Sequence, residues 1–410
     1  MKYSLRNINV RYFFLQVLFW GAAVVNYAYM TQILQNKGFS SEQIGILNGV
    51  KLLVGVIFQI WIGAFSDRTR YTVPLKYLIA LLSLGAGALT VVLYYANNNF
   101  ILMLFISIGF GITFTTLQPL IDSLPMLYTN HGLAVNYAKG RMGGSLSWAM
   151  LCVAAGMYCD DIGLSTFPIW GIVILVILSA ASACMPWDCI RLKNLTENTE
   201  KEEMEISSLP KTSTVFELLR KYTVFSVFLI GSIVMFMGYN FGCTFLIDIY
   251  RNLGGGNTEY GIGEFVMAIS EVPAAFIILK LRNKVPLRYM MVCCAFFMML
   301  KNLIPTYATQ VSIVIASQAC EMLGLGLYYA GSMYFIEENL PQADIVKGAS
   351  LVSVATVGIG EGIAACLCGG IRNRFGLYGL MKTGTLMNLL SIIIFLGMCT
   401  LYNKKHRNKN

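Results

Sequence analysis

Charge is scarce in this chain: 12% of its 410 residues are Asp, Glu, Lys or Arg, about half the ~25% of a soluble globular domain. Histidine is scarcer still. The two residues, His131 and His406, lie in a polar turn and in the basic tail, which excludes a histidine proton relay inside an apolar segment. No Gly-x-x-x-x-Gly-Lys-Ser/Thr loop is present, so the phosphate cradle of an ATP-driven pump is missing. No Cys-x-x-Cys pair falls outside the apolar segments and no metal-ligand spacing appears. The 11 cysteines therefore read as small apolar packing residues. No set of nucleophile, base and acid gathers at one end of the apolar segments, which leaves an enzyme without support.

Apolar residues are what the chain does have, 56% of it, with a mean hydropathy of +0.64. Runs close to the ~20 residues that cross a bilayer recur along nearly the whole length. Twelve are expected, at 11–34, 43–65, 74–95, 100–127, 143–163, 165–186, 222–249, 259–281, 288–307, 310–336, 345–370 and 376–401. The predicted class is thus an all-α membrane protein of twelve transmembrane helices, and the 38 glycines suit close helix approach in lipid. The first run, preceded by Lys2, Arg6 and Arg11, superficially resembles a signal peptide. It is too long, has no small-residue cleavage site and contains Asn26 and Tyr27, so it reads as a retained span.

Net charge is +9, but its distribution points to a bilayer and not to nucleic acid. Basic residues gather at the N-terminus, at Arg68 and Arg70, at Lys139 and Arg141, at Arg282, Lys284 and Arg288, and in the tail. The alternate loops hold few, which places both termini in the cytoplasm of a cell inner membrane; Arg372 and Arg374 are the exception. One hydrophilic stretch, 187–221, is too charged to form a core. It divides the chain into a six-helix lobe, 1–186, a cytoplasmic linker and a second six-helix lobe, 222–410. Asn194-Leu195-Thr196 within that linker is a chance glycosylation match. Six spans, a connector and six more is the plan of a two-lobed secondary transporter, expected as a monomer with no cofactor beyond a coupling proton.

The stretch Pro119–Trp148 concentrates the chemistry. Asp122 is expected to end one membrane-length helix and Arg141 to begin the next, with Trp148 two turns beyond Arg141 on the same side. A carboxylate, a guanidinium and an indole on one face suit a polyhydroxylated ring, whose hydroxyls meet the charges while its apolar face stacks on the indole. The same residue types also fit an ion pair tying a helical hairpin, with the Trp at the membrane interface.

Gly63, Asp67, Arg68 and Arg70 in GAFSDRTR resemble the loop signature of the major facilitator superfamily. Further stretches are similar to its lactose-permease-like branch of oligosaccharide:proton symporters and phenylpropionate-permease-like relatives. They are Ser41–Leu47, Phe58–Asp67, Pro119–Asp122, Arg141–Trp148, Glu217–Arg220 and Gly263-Glu264. The resemblance covers most of the chain and implies sugar-binding roles for Asp122, Arg141 and Trp148. It departs elsewhere. Asp122 is one methylene shorter than the usual Glu, and Lys301 stands for an Arg. Glu321 falls near the place of a His, Gly324 takes that of the proton-carrying acid, and Asn240 and Cys243 replace paired acids.

Charges inside spans are costly and default to function. Counting ~1.5 Å per residue puts Lys51, Glu271, Lys301, Glu321 and Glu361 well inside their spans, several near the midplane. Glu271, Lys301 and Glu321 are the expected proton-coupling residues, with Glu264 or Glu271 linking to the solute; Lys51 and Glu361 are the pair expected to serve structure alone. Tyr27, Tyr239 and Asn240 are candidates to line a central cavity. The resulting expectation is proton-coupled symport of a small polar solute, a sugar or glycoside. A carrier of a nucleoside or aromatic carboxylic acid is the alternative, and a non-transporting membrane sensor of the same fold another.

Overall fold

The computed structural model describes residues 5–68, 73–130, 132–187, 214–281 and 284–407. His131, Arg70 and linker residues 188–213 lie outside the described residues, as do the side chains of Asp67 and Arg68. Ten helical stretches are long and apolar enough to cross a membrane, and Pro168–Ala183 adds a shorter apolar helix. The last stretch, Gln342–Lys404, is 63 residues long, and Gly376 breaks it with φ 75° and ψ 176°. Division there gives twelve spans among the described residues, the number predicted. Large apolar side chains face outward along them, such as Ile57 at 65%, Leu81 at 67% and Phe105 at 66% exposed. In water each would forgo ~1.5–3 kcal/mol of burial, so the natural surround of this surface is lipid.

The chain forms two compact units. The first comprises 1–39 and 50–209, the second 40–49 and 210–410. In the first unit, α1 (Leu5–Ala23) runs through a π-helical turn, Val24–Ala28, into α2 (Met30–Asn36). α3 (Ser41–Arg68), α4 (Leu75–Tyr95), α5 (Phe100–Asn130), α6 (Tyr137–Asp161) and α7 (Pro168–Ala183) follow. A close seam in this unit joins α1 to α6. Gly140, Gly143 and Gly144, at i, i+3 and i+4, line one side of α6, where a Cβ would collide with Tyr12, Phe13 and Trp20 respectively. Ser147 Oγ and Tyr29 Oη extend the seam by donating across it to the carbonyls of Val17 and Cys152, each at 2.8 Å.

Asp122 was expected to end its helix, but α5 continues past it, through Pro119 and Pro125, to Asn130. A proline inside a helix removes one N–H and leaves the carbonyl four residues earlier without its partner. For Pro119 that carbonyl is Thr115 O, and Gln59 Nε2 of α3 donates to it at 2.8 Å. Asp122 therefore sits within a helix and not at its end. At the start of α6, Asn136 caps by accepting from the Lys139 amide at 3.0 Å.

The second unit begins at α8 (Val215–Lys221), opened by a capping box in which Thr214 and Glu217 satisfy each other's backbone amides. Donation from Thr214 holds the Glu217 carboxyl below the usual range. α9 (Thr223–Cys243), α10 (Leu246–Asn252), α11 (Asn257–Leu281) and α12 (Leu287–Tyr307) follow. The tenth span is broken: α13 (Val311–Ser317), a 3₁₀ turn at Gln318–Met322, then α14 (Leu325–Asn339) after Gly324. α15 (Ile345–Ser353) enters a π-helical stretch, Val354–Glu361, that leads into α16 (Gly362–Arg407). Phe228 anchors the core, with its ring 4.6 Å from Phe335 and 6.1 Å from both Tyr328 and Phe395. Arg372, an exception to the charge asymmetry, is accounted for by its partners. It pairs with Asp248 of α10 and lies 4.4 Å over the Phe245 ring.

Candidate functional site

In the first unit the seam of α1 and α6 brings Arg141 and Trp148 against Trp20. The Arg141 guanidinium lies 4.2 Å over the Trp20 ring. The two indoles meet edge to face, 5.7 Å apart at 80°. Asp122 comes in from α5, but among the described residues no ion pair within 4.0 Å joins it to Arg141. It accepts from Gln16 Nε2 at 2.7 Å, and the same amide reaches Tyr12 Oη at 2.8 Å. The helical-hairpin ion pair is therefore not what these residues build.

Four polar atoms here are buried without a hydrogen-bond partner: Gln16 Oε1, Trp20 Nε1, Arg141 Nη1 and Trp148 Nε1. Leaving a buried donor or acceptor unpaired costs ~1–3 kcal/mol, and folded proteins rarely tolerate it without a reason. Three fixed donors, one amide oxygen and a neighbouring carboxylate form a set that a solute rich in hydroxyls would satisfy. Asp122, Arg141 and Trp148 were singled out in the sequence; Gln16 and Trp20 were not. Their only signal is the spacing Tyr12, Gln16, Trp20, one residue per turn on one face of α1.

Tyr27 falls in the π-helical turn of the first span, its ring 5.2 Å from Phe114 and beneath Lys51 Nζ at 5.0 Å. Lys51 donates to the Asn26 carbonyl at 2.8 Å, a backbone partner within its own unit.

The second unit holds a buried ion pair. Lys301 Nζ lies 2.6 Å from Glu321 Oε2, with side chains 3% and 1% exposed. The ammonium also contacts Met267 Sδ at 3.4 Å and stands 5.0 Å over the Tyr239 ring. Glu321 occupies the 3₁₀ turn that breaks the tenth span, a form of irregular backbone tolerated in membranes where it serves a polar site. Of the two candidate acids on α11, Glu264 is buried and within electrostatic range of Lys301, whereas Glu271, two turns on, has its Cα against Gly326. Asn240, next to Tyr239, accepts from Thr244 Oγ1 at 3.0 Å through its side-chain oxygen.

Two six-span halves with polar centres at broken helices match a known pattern. Residues 5–380 match the MFS_1-like family. The chain belongs to that family of major facilitator transporters. Its relatives include an uncharacterized transporter, YwbF, of Bacillus subtilis (strain 168), 23% identical over 379 residues, 92% of this chain and 89% of that one. Among solved structures, a mutant of the nucleoside transporter NupG superposes with a TM-score of 0.79 at 12% identity, covering 96% of this chain and all of that one. A bacterial homolog of the human lysosomal transporter Spinster, inward-facing and unoccupied, gives 0.66 at 15% identity over 98% and 97%. These likenesses establish the fold of this MFS_1-like protein as that of a multi-pass membrane transporter.

Proposed function

We propose that this protein imports a sugar or glycoside together with a proton, by alternating access, as a member of the lactose-permease-like branch. The observation that carries the solute class is the unpartnered set at Gln16, Trp20, Arg141 and Trp148 beside Asp122. Lys301 and Glu321 form the centre of proton coupling, Glu321 being the acid whose charge turns over and Glu264 or Glu271 the link to the solute. Tyr27 and Asn240 add to the solute path. Both termini and the linker are cytoplasmic, as the basic residues suggest. A cysteine introduced into 188–213 should be labelled only after cells are permeabilised; labelling in intact cells would reverse the orientation.

A nucleoside is the second reading, favoured by one observation. Trp20 supplies a second indole at 5.7 Å from Trp148, more aromatic wall than a lone sugar ring needs and suited to an N-glycoside with a flat base. NupG, a nucleoside transporter by name, shares the fold. Purified protein should be screened by thermal shift against methyl β-galactoside, sucrose, uridine and phenylpropionate. Bound solute at 100 times its Kd stabilises by ~2.7 kcal/mol. A shift with a galactoside or sucrose supports the first reading and a shift with uridine alone moves it to nucleosides. A response to phenylpropionate alone rejects both. Uptake of the responding solute into proteoliposomes should collapse when the proton gradient is dissipated; unchanged accumulation would remove proton coupling.

A further inference from the structure

Glu361 takes no part in the arrangements above, yet it ends a π-helical stretch inside the eleventh span. π-Helical turns are rare and gather at functional sites, where the wider turn displaces side chains and leaves the backbone able to return to α. The sequence of this stretch, VATVGIGE, is small enough to pack closely. Gly360 lies so near α9 that a Cβ would stand 2.9 Å from both Ile233 O and Phe236 Cβ. That contact brings Glu361 into electrostatic range of Tyr239 on α9 and of Glu321 on the tenth span.

Among the described residues the Glu361 carboxyl has no hydrogen bond and no ion pair. Lys301, the cation beside Glu321, is committed to that acid at 2.6 Å. On the remaining face, Gly45 and Gly49 of α3 pack against the backbone at Gly362–Gly369. Within this unit the acid of α3 does not bear on Glu361 either: Glu42 lies by Gly369 and Gly370, two turns further along. A carboxylate within a membrane span needs a counter-charge, and among the described residues its own unit supplies none.

We propose that Glu361 is a proton-binding site that loads Glu321, an inference that rests on the coupling role given above to the Lys301–Glu321 pair. On this proposal Glu361 carries the proton while Lys301, at 2.6 Å, neutralises Glu321. The exchange breaks the O–H bond of Glu361 and forms one on Glu321, while the Lys301 ammonium passes from the Glu321 carboxylate to the new carboxylate of Glu361. One proton and one ammonium serve two acids, and the cluster is neutral before and after. The return of the widened turn to α-helix is the backbone movement that accompanies the swap.

The test needs no solute. The full chain in lipid nanodiscs is followed by infrared difference spectroscopy as the pH is raised, reading the carbonyl stretch of protonated carboxyl groups. Wild type should lose a band that is missing from Glu361→Gln. The band should persist in the double variant Lys301→Met/Glu321→Gln, which removes the cation and its partner together. Glu361→Asp, which keeps the carboxyl in a slightly different place, should shift the band, and it covers the case in which the Gln variant does not fold. A Glu361→Gln spectrum that superimposes on wild type, an unshifted band in Glu361→Asp, or loss of the band in the double variant overturns the proposal. If uptake proves independent of the proton gradient while the band behaves as expected, the coupling reading fails and the proton site stands.

Discussion

Arg141→Lys is expected to abolish measurable solute binding while leaving the melting temperature of the solute-free protein nearly unchanged. The two halves of that result come from different observations. Without solute the guanidinium makes no ion pair with Asp122, and its Nη1 has no partner, so an ammonium there loses little beyond the contact with the Trp20 ring. With solute, the planar fork offers parallel donors that a point charge cannot reproduce. Hydrogen bonds to a charged group contribute ~1.5–3 kcal/mol each, so losing two weakens binding by roughly 10²- to 10⁴-fold. Trp148→Phe keeps an aromatic face and loses one N–H, a change of ~0.5–1.5 kcal/mol, or about 2- to 10-fold. Isothermal titration with the solute found by thermal shift distinguishes the two. Full affinity in Arg141→Lys would mean that the guanidinium serves the helices and not the solute.

The second large effect belongs to the ion pair at Lys301 and Glu321. Lys301→Met should destabilise the protein by ~3–5 kcal/mol, because it strands a carboxylate that is 1% exposed. Glu321→Gln strands the ammonium in the same way and should leave a carrier that exchanges solute down its gradient but cannot accumulate it. The double variant Lys301→Met/Glu321→Gln should recover most of the stability and none of the accumulation. Stability is read from thermal unfolding in detergent and accumulation from proteoliposomes with an imposed proton gradient. If Glu321→Gln accumulates solute as wild type does, the proton does not pass through this pair.

The spans were legible because a bilayer imposes one length and one polarity on every crossing segment, whatever it packs against. Departures from the regular helix were not. Nothing in VVNYA announces a π-helical turn, and at the tenth span only Gly324 hints at the break beside Glu321. Asp122 pointed to a helix end because it follows Pro119 at the close of an apolar run; the Gln59 side chain that satisfies Thr115 O lies 56 residues away. Asp122, Arg141 and Trp148 could be found through their spacing and their resemblance to a family motif. Trp20 and Gln16 were hidden in an aromatic run where a Trp reads as packing. The backbone carbonyl of Asn26 that accepts from Lys51 was equally invisible, because such an acceptor leaves no trace in residue types. Arg372 broke the charge pattern until Asp248, 124 residues earlier in the chain, supplied its counter-charge.

The three glycines along α6 bear on which solutes are excluded. With no side chain at Gly140, Gly143 and Gly144, the rings of Tyr12, Phe13 and Trp20 rest directly on the α6 backbone, and any added Cβ there would force α1 and α6 apart. On the solute role proposed above, Arg141 and Trp148 on one helix and Gln16 and Trp20 on the other would be the jaws of a gauge set along this seam. A solute held between them would be measured by its breadth, and an analogue with one more substituent on the ring would have to force the seam apart. Discrimination by size would then be stricter here than in a site lined by flexible side chains, and it would depend on residues that never touch the solute.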